Sequence, residues 1–400
     1  MGPRSEVAMR PLLLLLLSLW ASLLLSRPAL AQQPPQQPAA AAWQVPALFR
    51  DRGDRELFRR NGGSPDAAAA LDKALTWLAS TQSKDGRWDA CGWQKTIGMG
   101  AAQHARDRGD ARYDVGLSAL ALLAFLADGE TPARGRHKDA VAEGLAWLVA
   151  QQGPAGCIGF KHGEEVYNHA LATLALVEAY ALTGDAKLAK AAQAALDWCV
   201  KAQNPRLGWQ YGVKTGRNDT SVTCWMLQAL LIGKEAGLEA PGDAVMGGRS
   251  WLERVTAANG EVGYMTPGGG SSFMPQNDGK YDVLPVMSAA SLAVRLRLGD
   301  TAKELAKTLR LVSAEPPAWG NGRKVSFYYW YQGTLALRQV GGEAWDAWSE
   351  ALERALIAHQ EGKGTLAGSW PPDGEWCLAG GRVYATAINA LSLSVYTRYR

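Results

Sequence analysis

The chain is short of the residues that staple or metallate small folds, with five cysteines and five histidines in 400 residues. An odd cysteine count excludes a fully paired disulfide framework. The spacings of Cys91, Cys157, Cys199, Cys224 and Cys377 also match no zinc pattern. Isolated cysteines of this kind are expected in the interior as small apolar groups. A charge excess is lacking too. Forty-two basic against 38 acidic side chains give +4, which excludes a broad electrostatic surface for nucleic acid or an anionic membrane. The basic cluster from Arg50 to Arg60 is interleaved with Asp51, Asp54 and Glu56, the pattern of a solvated linker face. Alternating apolar and polar runs, which half-buried strands require, are missing. Beyond the first 31 residues no stretch is long and apolar enough to span a bilayer.

What is present begins with an address. Arg4 and Arg10 form a positive region, Leu12 to Leu25 an apolar core, and Ala29-Leu30-Ala31 a small-residue cleavage site. This is the layout of a secretory signal, with a mature start expected at Gln32. Retention as an uncleaved anchor is the alternative. Either way the body is expected outside the cytoplasm, periplasmic or secreted. Residues 32–65 are expected to be a Gln/Pro/Ala-rich spacer followed by a linker, with Trp43 to Phe49 a short docking segment.

Residues 66–400 repeat. One-faced helices come first in each unit. Leu71, Leu75 and Leu78 share a stripe, as do Leu305, Leu309 and Val312, and Trp345, Trp348, Leu352 and Leu356. A Gly-rich turn then leads to a helix that is apolar nearly all round. The clearest follows Asn218-Asp219-Thr220, where Asp219 is placed to cap it. These second helices begin near Tyr113-Asp114, Tyr167-Asn168, Asn218-Asp219, Tyr281-Asp282, Phe327-Tyr328 and Tyr384. The interval of about fifty to sixty residues marks a repeat and not separate domains. A helix apolar on every side must be surrounded by others. The arrangement that satisfies both kinds is all-α: an (α/α)6 toroid, six inner helices ringed by six outer ones.

The loops after the outer helices carry a second signature. Gln82 to Trp88 and Gln203 to Trp209 are clear copies, Gln152 to Phe160 is degenerate and Gln360 to Trp370 is stretched. A glutamine at a helix end can bond free carbonyls, glycine permits the turn, and the ring packs back on the helix ends. These loops and the twelve-helix pattern resemble the prenyltransferase and squalene-cyclase repeat superfamily, whose members are α/α toroids.

The toroid brings the starts of the inner helices to one rim. The candidate ligand-binding residues are therefore Tyr113, Asp114, Tyr167, His169, Asp219, Tyr281, Asp282, Tyr329, Trp330 and Tyr384, with Asn168 beside them. Asp114, Asn168, Asp219 and Asp282 are also explained as helix caps. A rim of Tyr and Trp suits an apolar chain or a sugar ring.

No catalytic residue is assigned. Squalene-type cyclases carry Asp-x-Asp-Asp-Thr-Ala ahead of an inner helix and protonate with the middle Asp. On that pattern Asp219 and Thr220 match, but Asn218 stands at the proton donor and Gly216 at the first Asp. The prenyltransferase zinc pair, an Asp and a Cys two residues on, is also missing: Gly116, Ser221 and Leu284 occupy those places. His162, Glu164, Glu165 and His169 are the loosest of metal groupings, and no metal or cofactor is assigned. Cys91-Gly92-Trp93-Gln94 resembles the Cys-Gly-Glu-Gln of thioester domains, with Trp for Glu. The expectation is an exported toroid without cyclase or prenyltransferase chemistry. It would bind an isoprenoid, another lipid or a glycan, or a protein partner at its rim. The alternative is a divergent terpenoid enzyme, or a polysaccharide-cleaving enzyme using Asp114, Asp219 or Asp282.

Overall fold

The computed structural model describes residues 43–399 except 101, 160–164, 271–272, 275–279, 282–283 and 321–324. The signal and the spacer up to residue 42 lie outside the described residues, as do Asp282, His162 and Glu164. Fourteen α-helices are described: α1 Arg55–Arg60, α2 Pro65–Ser80, α3 Trp93–Thr96, α4 Asp114–Ala127, α5 Lys138–Ala150, α6 Glu165–Thr183 and α7 Ala186–Ala202 come first. Then follow α8 Thr220–Glu235, α9 Gly242–Arg254, α10 Val286–Arg297, α11 Ala306–Ser313, α12 Phe327–Val340, α13 Gly342–His359 and α14 Cys377–Leu393. The only strand pair among the described residues is a short one, β1 Phe273–Met274 with β2 Lys280–Tyr281.

The expected toroid is what forms. Helix α4 packs on α6, α6 on α8, α8 on α10, α10 on α12, α12 on α14, and α14 returns to α4. The inner ring is closed. Its helices are apolar all round because every side meets protein: in α8 Val222, Trp225, Met226, Leu227 and Leu230 are all buried. Outer helices bury one stripe each, as in α7 with Leu188, Ala192, Ala195 and Cys199.

The pairing order differs from the sequence reading. Each outer helix packs on the inner helix before it, and the first one, α2, packs on the last inner helix, α14. The reason is loop length. Only Gly184 and Asp185 separate α6 from α7, and Gly341 alone separates α12 from α13. Connections from outer to inner helices are longer, and they gather at the N-terminal ends of the inner helices.

The Gln-Gly-Trp loops stitch neighbouring outer helices together. Gln82 Nε2 donates to the carbonyls of Gly86 and of Ala140 in α5. Gln152 does the same to Gly156 and Ala191 of α7, and Gln203 to Leu207 and Ala244 of α9. Gln360 reaches Gly368 and Ala70 of α2, closing the outer ring between the ends of the chain. Gly86 and Gly368 both have φ of +94°, and a Cβ on either would fall on a carbonyl oxygen of the adjoining outer helix. Glycine is required there twice over. The indoles of Trp88, Trp209 and Trp370 donate to Leu78, Cys199 and Leu356, at the ends of their own outer helices.

The stretch from Arg50 to Arg60 is a solvated face only in part: Arg50, Asp54, Glu56, Arg59 and Arg60 are exposed, but Arg52 and Arg55 turn inward. Arg52 is 4 % exposed and ion-paired with Glu178, while Arg55 pairs with Asp72 and Asp128. Phe49 and Phe58 are buried beside them, so the packed body includes the residues from Trp43 onward. Arg398 Nη2 donates to the same Glu178 at 2.8 Å, and the Tyr399 hydroxyl donates to it as well. Burial alone would push the Glu178 carboxyl up, but the guanidiniums of Arg398 and Arg52 hold it at about 2. Arg52, ahead of the first outer helix, and Arg398 and Tyr399, after the last inner helix, thus plug one end of the ring.

Candidate functional site: an aromatic cup at the open rim

At the other end the described residues surround a cavity. Five of the six inner helices contribute to a cavity of about 120 Å3. From α4 come Gly116, Leu117 and Leu120, from α6 Tyr167 and Asn168, from α8 Ser221 and Trp225, from α12 Tyr328, and from α14 Tyr384 and Ile388. Loop residues Tyr113, Tyr211, Tyr264 and Trp376 complete the wall. Gly116 and Gly380 keep space near the mouth, since a Cβ on Gly116 would press on Asn168 Oδ1.

Trp225 is the floor. Its ring stacks on Tyr328, with centroids 6.1 Å apart, and on Tyr331 at 5.8 Å. Its Nε1 donates to the Tyr167 hydroxyl at 2.9 Å. Beneath it Gln228 Nε2 donates to Gln332 Oε1 across the ring, and Arg398 Nη1 donates to the Tyr331 hydroxyl. The cup therefore rests on the plug through Tyr331 and Arg398. On its wall Ser221 Oγ lies 3.1 Å from the Tyr328 hydroxyl and 3.5 Å from that of Tyr167. The hydroxyls of Tyr211 and Tyr264 meet at 2.7 Å. Burial raises the phenols of Tyr167, Tyr328 and Tyr384, so they stay neutral. No described lining residue is a carboxylate, lysine, arginine or histidine.

The residues nominated from sequence separate into groups. Tyr113, Tyr167, Asn168 and Tyr384 line the cup. Asp219 stands behind the wall, where one oxygen caps α8 through the Val222 N–H at 2.8 Å; burial raises its carboxyl to about 7. Asp114 does not cap its own helix. It accepts the Ala90 N–H at 2.9 Å and lies 3.5 Å from Arg87, tying the first Gln-Gly-Trp loop to α4. Burial, together with Asp89, raises it to about 6 against the pull of Ala90 N–H and Arg87. Asn168 is not a cap either, since its amide donates to the Arg112 carbonyl. His169 is buried away from the cup, accepting the Ile158 N–H and contacting the Ala195 carbonyl. Tyr329 turns outward to the Val312 carbonyl, and Trp330 packs against Trp319 and Phe327. Tyr281 lies in β2.

Sequence reasoning passed over Tyr211, Ser221, Trp225, Tyr264, Tyr328 and Trp376. A signal existed in α8, where Ser221, Trp225 and Gln228 recur at helical spacing along one face. No described group of His, Cys, Asp and Glu is arranged to hold a metal. The five cysteines are free thiols, four of them buried. Cys91 is half-buried, with burial and Asp89 raising its thiol, and Gln94 is turned to the His104 carbonyl.

No family model matches the chain, and no curated protein matches it. Solved structures do. An α-1,6-mannanase of Salegentibacter sp., an inactive variant bound to α-1,6-mannotriose, is 10 % identical with a TM-score of 0.58, covering 83 % of this chain and 99 % of its own. An unsaturated glucuronyl hydrolase of Streptococcus agalactiae is 11 % identical, TM-score 0.54, covering 89 % and 97 %. A type II terpene cyclase from Scytonema, bound to geranylgeranyl dihydroxybenzoate, is 12 % identical, TM-score 0.50, covering 83 % and 97 %. This likeness establishes the α/α toroid and no more. Among the described residues no helix is long and apolar enough to cross a membrane.

Proposed function

We propose that this is an exported binding protein that holds an apolar ligand, an isoprenoid or another lipid, in the aromatic cup, without cyclase or prenyltransferase chemistry. The observation that supports this reading is the lining. Eight aromatic side chains and four branched aliphatic ones surround the space, and no described carboxylate enters it. Glycoside cleavage needs a pair of carboxylates flanking the bond. Asp114 and Asp219 are instead engaged behind the wall. Alkene protonation needs an acid facing the ligand, and Asn218 is turned to Asn204 Nδ2.

A glycan is the second reading. The mannanase neighbour carries mannotriose, and tyrosine and tryptophan faces suit sugar rings. A protein partner at the rim would meet Leu378, 67 % exposed beside the lining residues Trp376 and Ala379.

Displacement of an apolar fluorophore from the purified chain tests the first reading. A C15 isoprenoid should displace it and α-1,6-mannotriose should not. Leu120→Trp, which fills the cup, should abolish binding while the far-ultraviolet circular dichroism is unchanged. Displacement by the trisaccharide alone would favour the glycan.

A further inference from the structure

Two polar groups on the cup wall narrow the ligand beyond its apolar character, an assignment that rests on the proposed apolar-ligand function. Several of the cup's other polar atoms are spent on the wall itself. The hydroxyls of Tyr167, Ser221 and Tyr328 bond to one another, and Trp225 Nε1 donates to Tyr167. The hydroxyls of Tyr211 and Tyr264 share a bond. Asn168 and Tyr384 differ from these. They are 4 % and 8 % exposed, and both line the cup, from the two helices that flank α4.

The Asn168 amide is oriented by its Nδ2, which donates to the Arg112 carbonyl at 2.9 Å. The flipped amide would set two acceptors against each other. Oδ1 is therefore fixed on the other side, where it accepts no hydrogen bond from any described residue. It sits beside Gly116, another lining residue, and a Cβ there would come within 2.6 Å of it. The glycine thus leaves the carbonyl oxygen reachable from the cup. The Tyr384 hydroxyl also has no hydrogen-bond partner among the described residues. Burial keeps it protonated, so it has a proton to give. Polar atoms this deep are costly to leave unpaired. A lone acceptor beside a phenol is the complement of a hydroxyl, which donates one proton and accepts through two lone pairs. A hydrocarbon satisfies neither group, and an ether satisfies only Tyr384.

We infer that the cup takes a lipid alcohol, apolar along its length, whose hydroxyl donates to Asn168 Oδ1 and accepts from the Tyr384 hydroxyl. The first turns of α4 and α14 carry no side-chain cap, so an anionic head group is the competing ligand that the experiment must include. A carboxylate has no proton for Asn168.

The test is a matched series against the purified full chain, by calorimetric titration at pH 7.5: farnesol, farnesyl methyl ether, farnesene and farnesoate. Farnesol should bind about three- to tenfold more tightly than its ether, the range a single net hydrogen bond supplies, and the ether should exceed farnesene by a similar factor. Asn168→Leu and Asn168→Asp both lose the bond to Arg112, but only the leucine loses the acceptor. The farnesol-to-ether ratio should therefore collapse in Asn168→Leu and persist in Asn168→Asp. Tyr384→Phe should erase the advantage of the ether over farnesene while farnesene affinity stays within about twofold, and it serves should the Asn168 variants fail to fold. Equal binding of farnesol and its ether by the parent, or a ratio that collapses in both Asn168 variants, overturns the hydroxyl assignment and leaves the apolar cup intact. Tighter binding of farnesoate than of farnesol overturns it in favour of an anion. Failure of all four to bind overturns the apolar-ligand function itself.

Discussion

Replacing Glu178 by glutamine should be among the most damaging single-atom changes available in this chain. The carboxylate is fully buried and shared by Arg52 and Arg398, and its midpoint falls from 4.5 to about 2. At about 1.4 kcal/mol per pH unit that corresponds to roughly 3 kcal/mol of stability at neutral pH. Glutamine keeps the shape but leaves two buried guanidiniums without a counter-charge, a loss of about 3–5 kcal/mol. The sign with pH follows from a lowered carboxyl midpoint. The contribution is complete above about pH 5 and is lost as pH falls through 4.5 toward 2. Urea denaturation of parent and Glu178→Gln should therefore differ by about 3–5 kcal/mol at pH 7, and the gap should shrink by about 2 kcal/mol at pH 3. Other carboxylates titrate alike in both proteins and cancel. A gap below about 1 kcal/mol at pH 7, or one unchanged at pH 3, would refute the reasoning.

Three further outcomes are expected. Asp219 has a midpoint raised to about 7, so it favours the fold below about pH 4 and costs stability as pH rises toward 7. Asp219→Asn keeps the cap, and its melting temperature relative to the parent should rise between pH 5 and pH 8 by differential scanning fluorimetry; a constant difference would contradict this. Gln360→Ala removes both seam bonds to Ala70 and Gly368 and should cost about 1–3 kcal/mol. Hydrogen exchange should accelerate in α2 and α13 and not in α8. Gly368→Ala forces a side chain into a +94° backbone beside Lys73 and should destabilise by more than about 1 kcal/mol in thermal melts.

The ring was legible because its cause is local. Periodicity tells outer helices from inner ones, and the Gln-Gly-Trp signature, clear or degenerate, marks four of the six returns to the rim. Closure was expected because inner helices apolar on every side need a full ring of neighbours, and Gln360, which repeats the chemistry of Gln82, makes it by bonding Ala70. The plug was not legible. Glu178 meets Arg52 across 126 positions and Arg398 across 220, and nothing local pairs them, although a lone carboxylate inside an apolar helix is itself a sign of a buried partner. The cup was legible only in part. Tyr328 faces the ligand space while Tyr329 and Trp330 face the outer layer, because consecutive helical residues diverge by about 100°. Tyr211, Tyr264 and Trp376 come from irregular loops, where no periodicity announces direction.

The most direct test of an apolar-ligand cup is native mass spectrometry of the protein purified from its own source, before and after organic extraction. The account predicts a stoichiometric, extractable adduct whose mass is that of an isoprenoid or another lipid. It also predicts that Trp225→Ala lowers its occupancy. A bare polypeptide mass at both steps, or an adduct that digests as a glycan, would contradict it.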